Sequence, residues 1–93
     1  MELKEYFETV EGFGVLATAD DGGRTNAAVY SRPHVMEDGQ LAFIMRDRLT
    51  HNNVTDNPHA TYLLRENGPG YKGKRLYLKM VREEEDKELL QSL

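Results

Sequence analysis

The stretch FIMRDRLTHNN, residues 43–53, holds the densest set of groups suited to gripping an anion. A short apolar run ends in Arg46, and Arg48, Leu49, Thr50, His51, Asn52 and Asn53 surround the start of a short predicted helix. Guanidinium groups make charge-assisted, often bidentate hydrogen bonds to phosphate. Free backbone N–H groups at a helix N-terminus favour negative charge as well. The segment therefore reads as a phosphate site. The same residues also read as a solvated, capped helix start, with Asp47 and Thr50 as N-cap candidates.

A second stretch, GPGYKG at residues 68–73, matches the pattern G-x-G-x-x-G of a dinucleotide-binding turn. Such a turn must follow a strand, open a helix, and be answered by an acid about 20 residues later on the next strand. Here the glycines are followed by KRLYLKM, a strand pattern, and the acids beyond it fall in a predicted helix. The dinucleotide reading therefore fails. Gly68 and Gly70 suit a hairpin loop that needs positive φ. Tyr71 and Lys72 would add an aromatic face and a cation if that loop also borders a ligand.

Other chemistries find little support. Cys is absent, which excludes disulfides and thiolate sites. His34, His51 and His59 show no metal-ligand spacing, so no metal site is expected. Ser31 and His34 lack a nucleophile elbow and an acid partner. Asn53-Val54-Thr55 is a glycosylation sequon with no signal peptide to give it meaning. No side chain stands out as a general acid or base; Tyr30, Tyr71 and His51 are the weak candidates.

The elements that must position these residues emerge from hydrophobic period and turn signals. Leu3, Tyr6, Phe7 and Val10 recur at helical spacing, and Gly12 and Gly14 end that helix. GVLATA (14–19) reads as a buried strand, DDGG (20–23) as a tight turn, and TNAAVYSRPHV (25–35) as a longer strand with an edge or bend at Pro33. EDGQ (37–40) is another turn and LAFIM (41–45) a third strand. A loop and a helix of about two turns come next, stopped by Asn57-Pro58. HATYLL (59–64) and KRLYLKMV (74–81) are the fourth and fifth strands, with Leu76, Leu78 and Met80 sharing one face. EEEDKELLQSL (83–93) is predicted as a closing helix, its acids near the N-terminus and Glu83 paired with Lys87. Hairpin-joined strands with one inserted helix point to a mainly β fold, a small antiparallel barrel with short helices.

The 93 residues fit a single domain, 1–93. A chain of this length removes only about two thirds of its unfolded surface from water. With 39% hydrophobic residues, a second copy is the simplest partner to complete the core. The net charge of −4 argues against general nucleic-acid binding. The N-terminus has no apolar h-region, and no apolar run approaches the roughly 20 residues needed to cross a bilayer. A cytoplasmic protein is expected.

In order and spacing, residues 14–64 resemble the pyridoxamine 5'-phosphate oxidase-like family of FMN-binding split barrels. The shared order is an LAT strand, a DG turn, a long strand, a second DG turn, and a strand ending in a phosphate loop. A short helix closing on Asn-Pro and a hydrophobic strand complete the order, and NGPGYKG is similar to a loop of small FMN-binding members. The resemblance implies a homodimer with FMN at the subunit interface. Carried over by position, Ala28, Val29, Tyr30 and Ser31 would lie along the isoalloxazine ring. Met45 and Arg46 would follow the ribityl chain. Arg46, Arg48, Leu49, Thr50 and Asn53 would surround the phosphate, with Tyr71 and Lys72 reaching in from the glycine loop.

Departures from the family pattern narrow the expectation. Leu49-Thr50 stands where a Lys is often found, which moves the phosphate cation to Arg46 or Arg48. The Arg- and Trp-containing tail of the vitamin B6 oxidases has no counterpart here. Related chains also run past the closing helix into a final barrel strand. This chain stops at LLQSL, so it is either truncated or completes the barrel differently. The resemblance implies an oxidoreductase of the NAD(P)H–flavin type. The alternatives are a flavin carrier or electron-transfer protein without turnover, or a barrel that binds a deazaflavin or haem.

Overall fold

The computed structural model describes residues 2–46, 48–84 and 87–93. The order of elements is α1 (Leu3–Thr9), β1 (Gly12–Ala19), β2 (Thr25–Val29), β3 (His34–Val35), β4 (Leu41–Phe43), α2 (Arg48–Asp56), β5 (His59–Glu66), β6 (Gly73–Glu84) and β7 (Lys87–Ser92). All strands join one antiparallel sheet in the order β2-β1-β5-β6-β7-β4-β3.

The two edge strands, β2 and β3, are consecutive in the chain and separated by residues 30–33. That linker reaches at most about 18 Å. The edges of a flat seven-stranded sheet would lie about 29 Å apart. The sheet must therefore roll until its edges approach, and the linker crosses the remaining gap. The mainly β barrel with short helices is what the chain forms.

Alternation places the core inside the roll. Leu16, Tyr62 and Leu76 are cross-strand neighbours on β1, β5 and β6, as are Thr18, Ala60 and Leu78. Tyr62, Leu16, Leu41, Leu64, Leu78 and Leu90 are fully buried. The rings of Phe7, Phe43 and Tyr62 pack edge-on or tilted, with Phe43 and Tyr62 centroids 5.3 Å apart. Tyr6 and Phe7 of α1 are buried in this cluster. The Tyr6 hydroxyl donates to Glu66 Oε2 at 2.8 Å, fixing the helix to the end of β5. No described helix is long and apolar enough to cross a membrane.

Three expectations need correction. The strand over 25–35 is interrupted at 30–33, where Pro33 is buried and the chain passes from one sheet edge to the other. The third strand ends at Phe43 rather than Met45. The predicted closing helix is strand β7, seated between β6 and β4. Three of its consecutive residues, Glu88, Leu89 and Leu90, are buried. A run buried on both faces belongs to an interior strand rather than a surface helix. The final segment is therefore a strand inside the sheet, and Glu83 pairs across strands with Glu88 while Lys87 pairs with Glu84. Glu85 and Asp86 of the acidic run lie outside the described residues.

Candidate functional site

Where the rolled sheet leaves its gap there is a cavity of about 610 Å³, within the roughly 300–1,000 Å³ usual for small-molecule sites. The end of β2 and the start of the linker supply Ala28, Val29, Tyr30 and Ser31. Ala42, Phe43 and Ile44 supply further apolar lining from β4 and its exit. The Tyr30 and Phe43 rings meet edge-to-face, centroids 6.2 Å apart at 74°, so the two stretches brace one another.

The position of Tyr30 is set by its backbone. Its N–H donates to the Gly14 carbonyl at 3.0 Å, continuing the β1–β2 ladder by one step. Its carbonyl accepts from the Tyr62 hydroxyl at 3.2 Å. Burial pushes the Tyr62 phenol up to about 12, with the positive charge of Arg32 opposing, so Tyr62 remains a donor at neutral pH. Gly14 sits against this contact. A Cβ there would run into the Tyr62 hydroxyl and come within 2.6 Å of the Tyr30 carbonyl.

The polar lining is strongly one-sided. Arg32, Arg46 and Lys87 are present with His34 and Ser31, and no carboxylate is among the described lining residues. Arg32 is fixed by a 2.6 Å hydrogen bond from Nη1 to the carbonyl of Val10, the C-cap of α1. In a protein of net charge −4, this cavity is a local basic field. An apolar wall beside three cations suits a flat, unsaturated molecule that carries an anionic group.

The structure brings together Ala28, Val29, Tyr30, Ser31 and Arg46 from the expected site. Met45 is half-buried against the core. Arg48 and Leu49 are exposed in the first turn of α2, outside the cavity lining. Thr50 and Asn53 follow in α2. Both are buried. Thr50 Oγ1 accepts from Asn26 Nδ2 at 3.3 Å, and Asn53 Nδ2 donates to Thr18 Oγ1 at 3.0 Å. These contacts hold α2 onto β1 and β2. Thr50 is also inside the helix rather than its cap, and Asp47, the other cap candidate, lies outside the described residues.

The glycine loop is the hairpin connection from β5 to β6, as its sequence context required. Gly68 and Gly70 have φ of +114° and +85°, which disfavours any side chain. Arg65 Nη2 donates to the carbonyls of both glycines, at 3.1 and 2.9 Å. Tyr71 and Lys72 project from this loop, exposed and outside the cavity lining of their own chain; Lys72 Nζ lies 4.0 Å from Glu66 Oε1.

Sequence reasoning missed Arg32, His34 and Lys87. Reading 25–35 as one strand hid the crossing at 30–33, which turns Arg32 and His34 toward the cavity. Reading 83–93 as a helix removed Lys87 from the sheet. Pro33, read as an edge or bend, was the signal for the first, and it marks a full crossing between sheet edges.

No protein-family model matches the chain, and no curated protein is significantly similar to it. Among solved structures, an FMN-binding protein from Syntrophomonas wolfei subsp. wolfei has a similar fold, with a TM-score of 0.79. The match covers 99% of this chain and 80% of that one, at 14% sequence identity. At that identity the likeness speaks for the fold.

Proposed function

We propose that this chain is an FMN-binding flavoprotein of the pyridoxamine 5'-phosphate oxidase-like type, acting as an NAD(P)H–flavin oxidoreductase. The observation that carries the reading is the cavity itself: an apolar wall beside Arg32, Arg46 and Lys87, with no described carboxylate in the lining. That donor set fits FMN, an aromatic ring system ending in a phosphate. Its likeness in fold to an FMN-binding protein supports the same reading.

In this reading Ala28, Val29, Tyr30 and Ser31 hold the ring, and their backbone offers hydrogen bonds to its edge. Arg46 and Lys87 hold the phosphate, with Arg48 at the adjoining helix start. Phe43 and Ile44 exclude water from one side. Bound FMN would supply hydride-transfer chemistry at its N5. His34 brings an imidazole to the cavity lining, a group suited to holding or releasing a proton there.

The chain acts as a homodimer. On the outer face of the sheet Val29, Val15 and Leu63 are direct cross-strand neighbours. Val29 and Leu63 are 67% and 45% exposed, and Phe13 and Tyr77 of β1 and β6 are exposed as well. This apolar face continues from the cavity wall through Val29. A second copy covering it would close the flavin site and bring the Tyr71–Lys72 loop toward the partner's cofactor.

The test is direct. Purified protein should be yellow, or the apoprotein should take up FMN in preference to riboflavin. Equal affinity for the two flavins would remove the phosphate assignment, and a haem or deazaflavin spectrum would remove the cofactor. Rapid NADPH oxidation with a defined acceptor supports turnover; slow oxidation indifferent to the acceptor makes the protein a carrier.

A further inference from the structure

Outside the cavity, the junction of α2 with the β6–β7 hairpin contains an arrangement that neither packing nor the flavin reading explains. Glu83 on β6 and Glu88 on β7 are directly paired across strands. Like charges in that position are destabilising. The pairing results from a bulge. From Leu78↔Ser92 to Met80↔Leu90 the register is regular, and it then shifts so that Arg82 faces Leu89. Without the shift, Arg82 would face Glu88 and Glu83 would face Lys87, two favourable pairs. The extra residue replaces the cation opposite Glu88 with a second carboxylate. Bulges commonly re-aim side chains in this way beside functional sites. Arg82 is directed elsewhere, to Glu84 Oε2 at 2.8 Å and Gln40 Oε1 at 2.9 Å.

His51 of α2 completes the group. Its Nε2 lies 3.4 Å from Glu83 Oε2 and 3.4 Å from Glu88 Oε1. Glu88 is only 2% exposed, and its other oxygen, Oε2, is buried with no hydrogen-bond partner. One ligand atom from each of the three residues lies within 4.8 Å of the others.

We propose that His51, Glu83 and Glu88 bind a single divalent transition-metal cation of the zinc class. The distances favour a shared ion. A charge-assisted N–H···O bond is about 2.7–2.9 Å long. Two ligand atoms each about 2.1 Å from one tetrahedral metal stand about 3.4 Å apart. One imidazole with two carboxylates selects against magnesium and calcium, which take all-oxygen shells, and suits zinc and its neighbours. The two carboxylate charges balance a divalent ion. Glu88 is buried with one oxygen unpartnered, and a cation at this point would offset the cost of burying its carboxylate. The ion would clamp α2 to the β6–β7 hairpin. None of its three ligands lines the flavin cavity, so the inference stands apart from the proposed function.

Untagged full-length protein, stripped with a chelator, would be titrated with zinc chloride by calorimetry and thermal unfolding, and with cobalt(II) for its visible absorption. The expected result is one ion per chain, a rise in Tm, and the intense visible band of tetrahedral cobalt. Glu88→Gln and His51→Gln should each weaken zinc binding by at least about tenfold, since even outer-shell changes at metal sites cost that much. Glu83→Gln, at a more exposed position, should do the same, and it keeps the test available if the buried variants fail to fold. No zinc uptake by the wild type at micromolar concentration would overturn the site. Uptake undiminished in Glu83→Gln would overturn it as well.

Discussion

The Tyr62 hydroxyl donates to the Tyr30 carbonyl at 3.2 Å, tying the interior strand β5 to the point where the chain leaves β2. Gly14 leaves room for this contact. Gly14→Ala forces a Cβ into it and should destabilise by about 1–3 kcal/mol, the usual cost of overpacking. Tyr62→Phe removes only the hydrogen bond and should cost about 1 kcal/mol. Urea unfolding of the two variants checks the order. A Gly14→Ala protein as stable as the wild type would mean that Tyr62 and Tyr30 are not fixed in this way.

The same phenol shapes the response to alkali. Burial pushes Tyr62 up to about 12, and burial together with the Glu66 carboxylate pushes Tyr6 up to about 12, from an ordinary value of 10.0. Below pH 10 both the folded and unfolded chains keep these protons, and the contribution to stability is fully present. As pH rises from 10 to 12 the unfolded chain releases them first, so stability falls. Tm measured across this window should drop steeply. A Tyr6→Phe, Tyr62→Phe double variant should show a shallower fall from a lower starting point; an unchanged slope would assign alkaline unfolding to other groups.

Much of the barrel was legible because its strands obey simple periods. Leu16, Tyr62, Leu76 and Leu78 face inward as alternation requires, and GPGYKG was separable from a dinucleotide turn because KRLYLKM, a strand pattern, stands where a helix would have to begin. The last strand was not legible, since Leu89 and Leu90 fit a helical face as readily as a strand buried on both sides. Only the need for a strand between β6 and β4 decides it, and that need is tertiary. The same holds for the site. Ala28 to Ser31 and Arg46 were named through the family resemblance, and they meet only because the sheet rolls until its edges approach. Lys87 joins them through a strand pairing that no local pattern encodes. Thr50 and Asn53 have the chemistry of phosphate ligands, and their hydrogen bonds with Asn26 and Thr18 also hold α2 on the sheet, because a helix laid on a sheet must satisfy its buried polar groups.

The phosphate assignment separates by flavin. Charge-assisted hydrogen bonds contribute about 1.5–3 kcal/mol each, which is about tenfold to over a hundredfold in affinity. Arg46→Ala should therefore weaken FMN binding by at least about tenfold and leave riboflavin nearly unchanged. Lys87→Ala should act in the same direction. Lys72→Ala should have a smaller effect on both flavins. Loss of binding in Lys72→Ala with Arg46→Ala intact would move the anion site to the glycine loop.

The dimer can be tested on the face that would form it. Val29, Val15 and Leu63 make a direct cross-strand row on the outside of β2, β1 and β5, so an Asp at Leu63, even opposite Arg75 of β6, would carry a charge into the apolar part of a two-copy interface. Since Leu63 is 45% exposed in the single chain, the same charge costs the isolated fold little. Leu63→Asp should therefore shift light scattering from dimer to monomer while far-ultraviolet circular dichroism stays unchanged. If the partner helps to enclose the cofactor, FMN affinity falls with the dimer, and raising the protein concentration restores both together. Arg46→Ala should instead lower FMN affinity in a protein that remains dimeric, so the two variants separate anchoring from assembly. A wild-type monomer that still holds FMN at micromolar concentration would show that one chain builds the site alone.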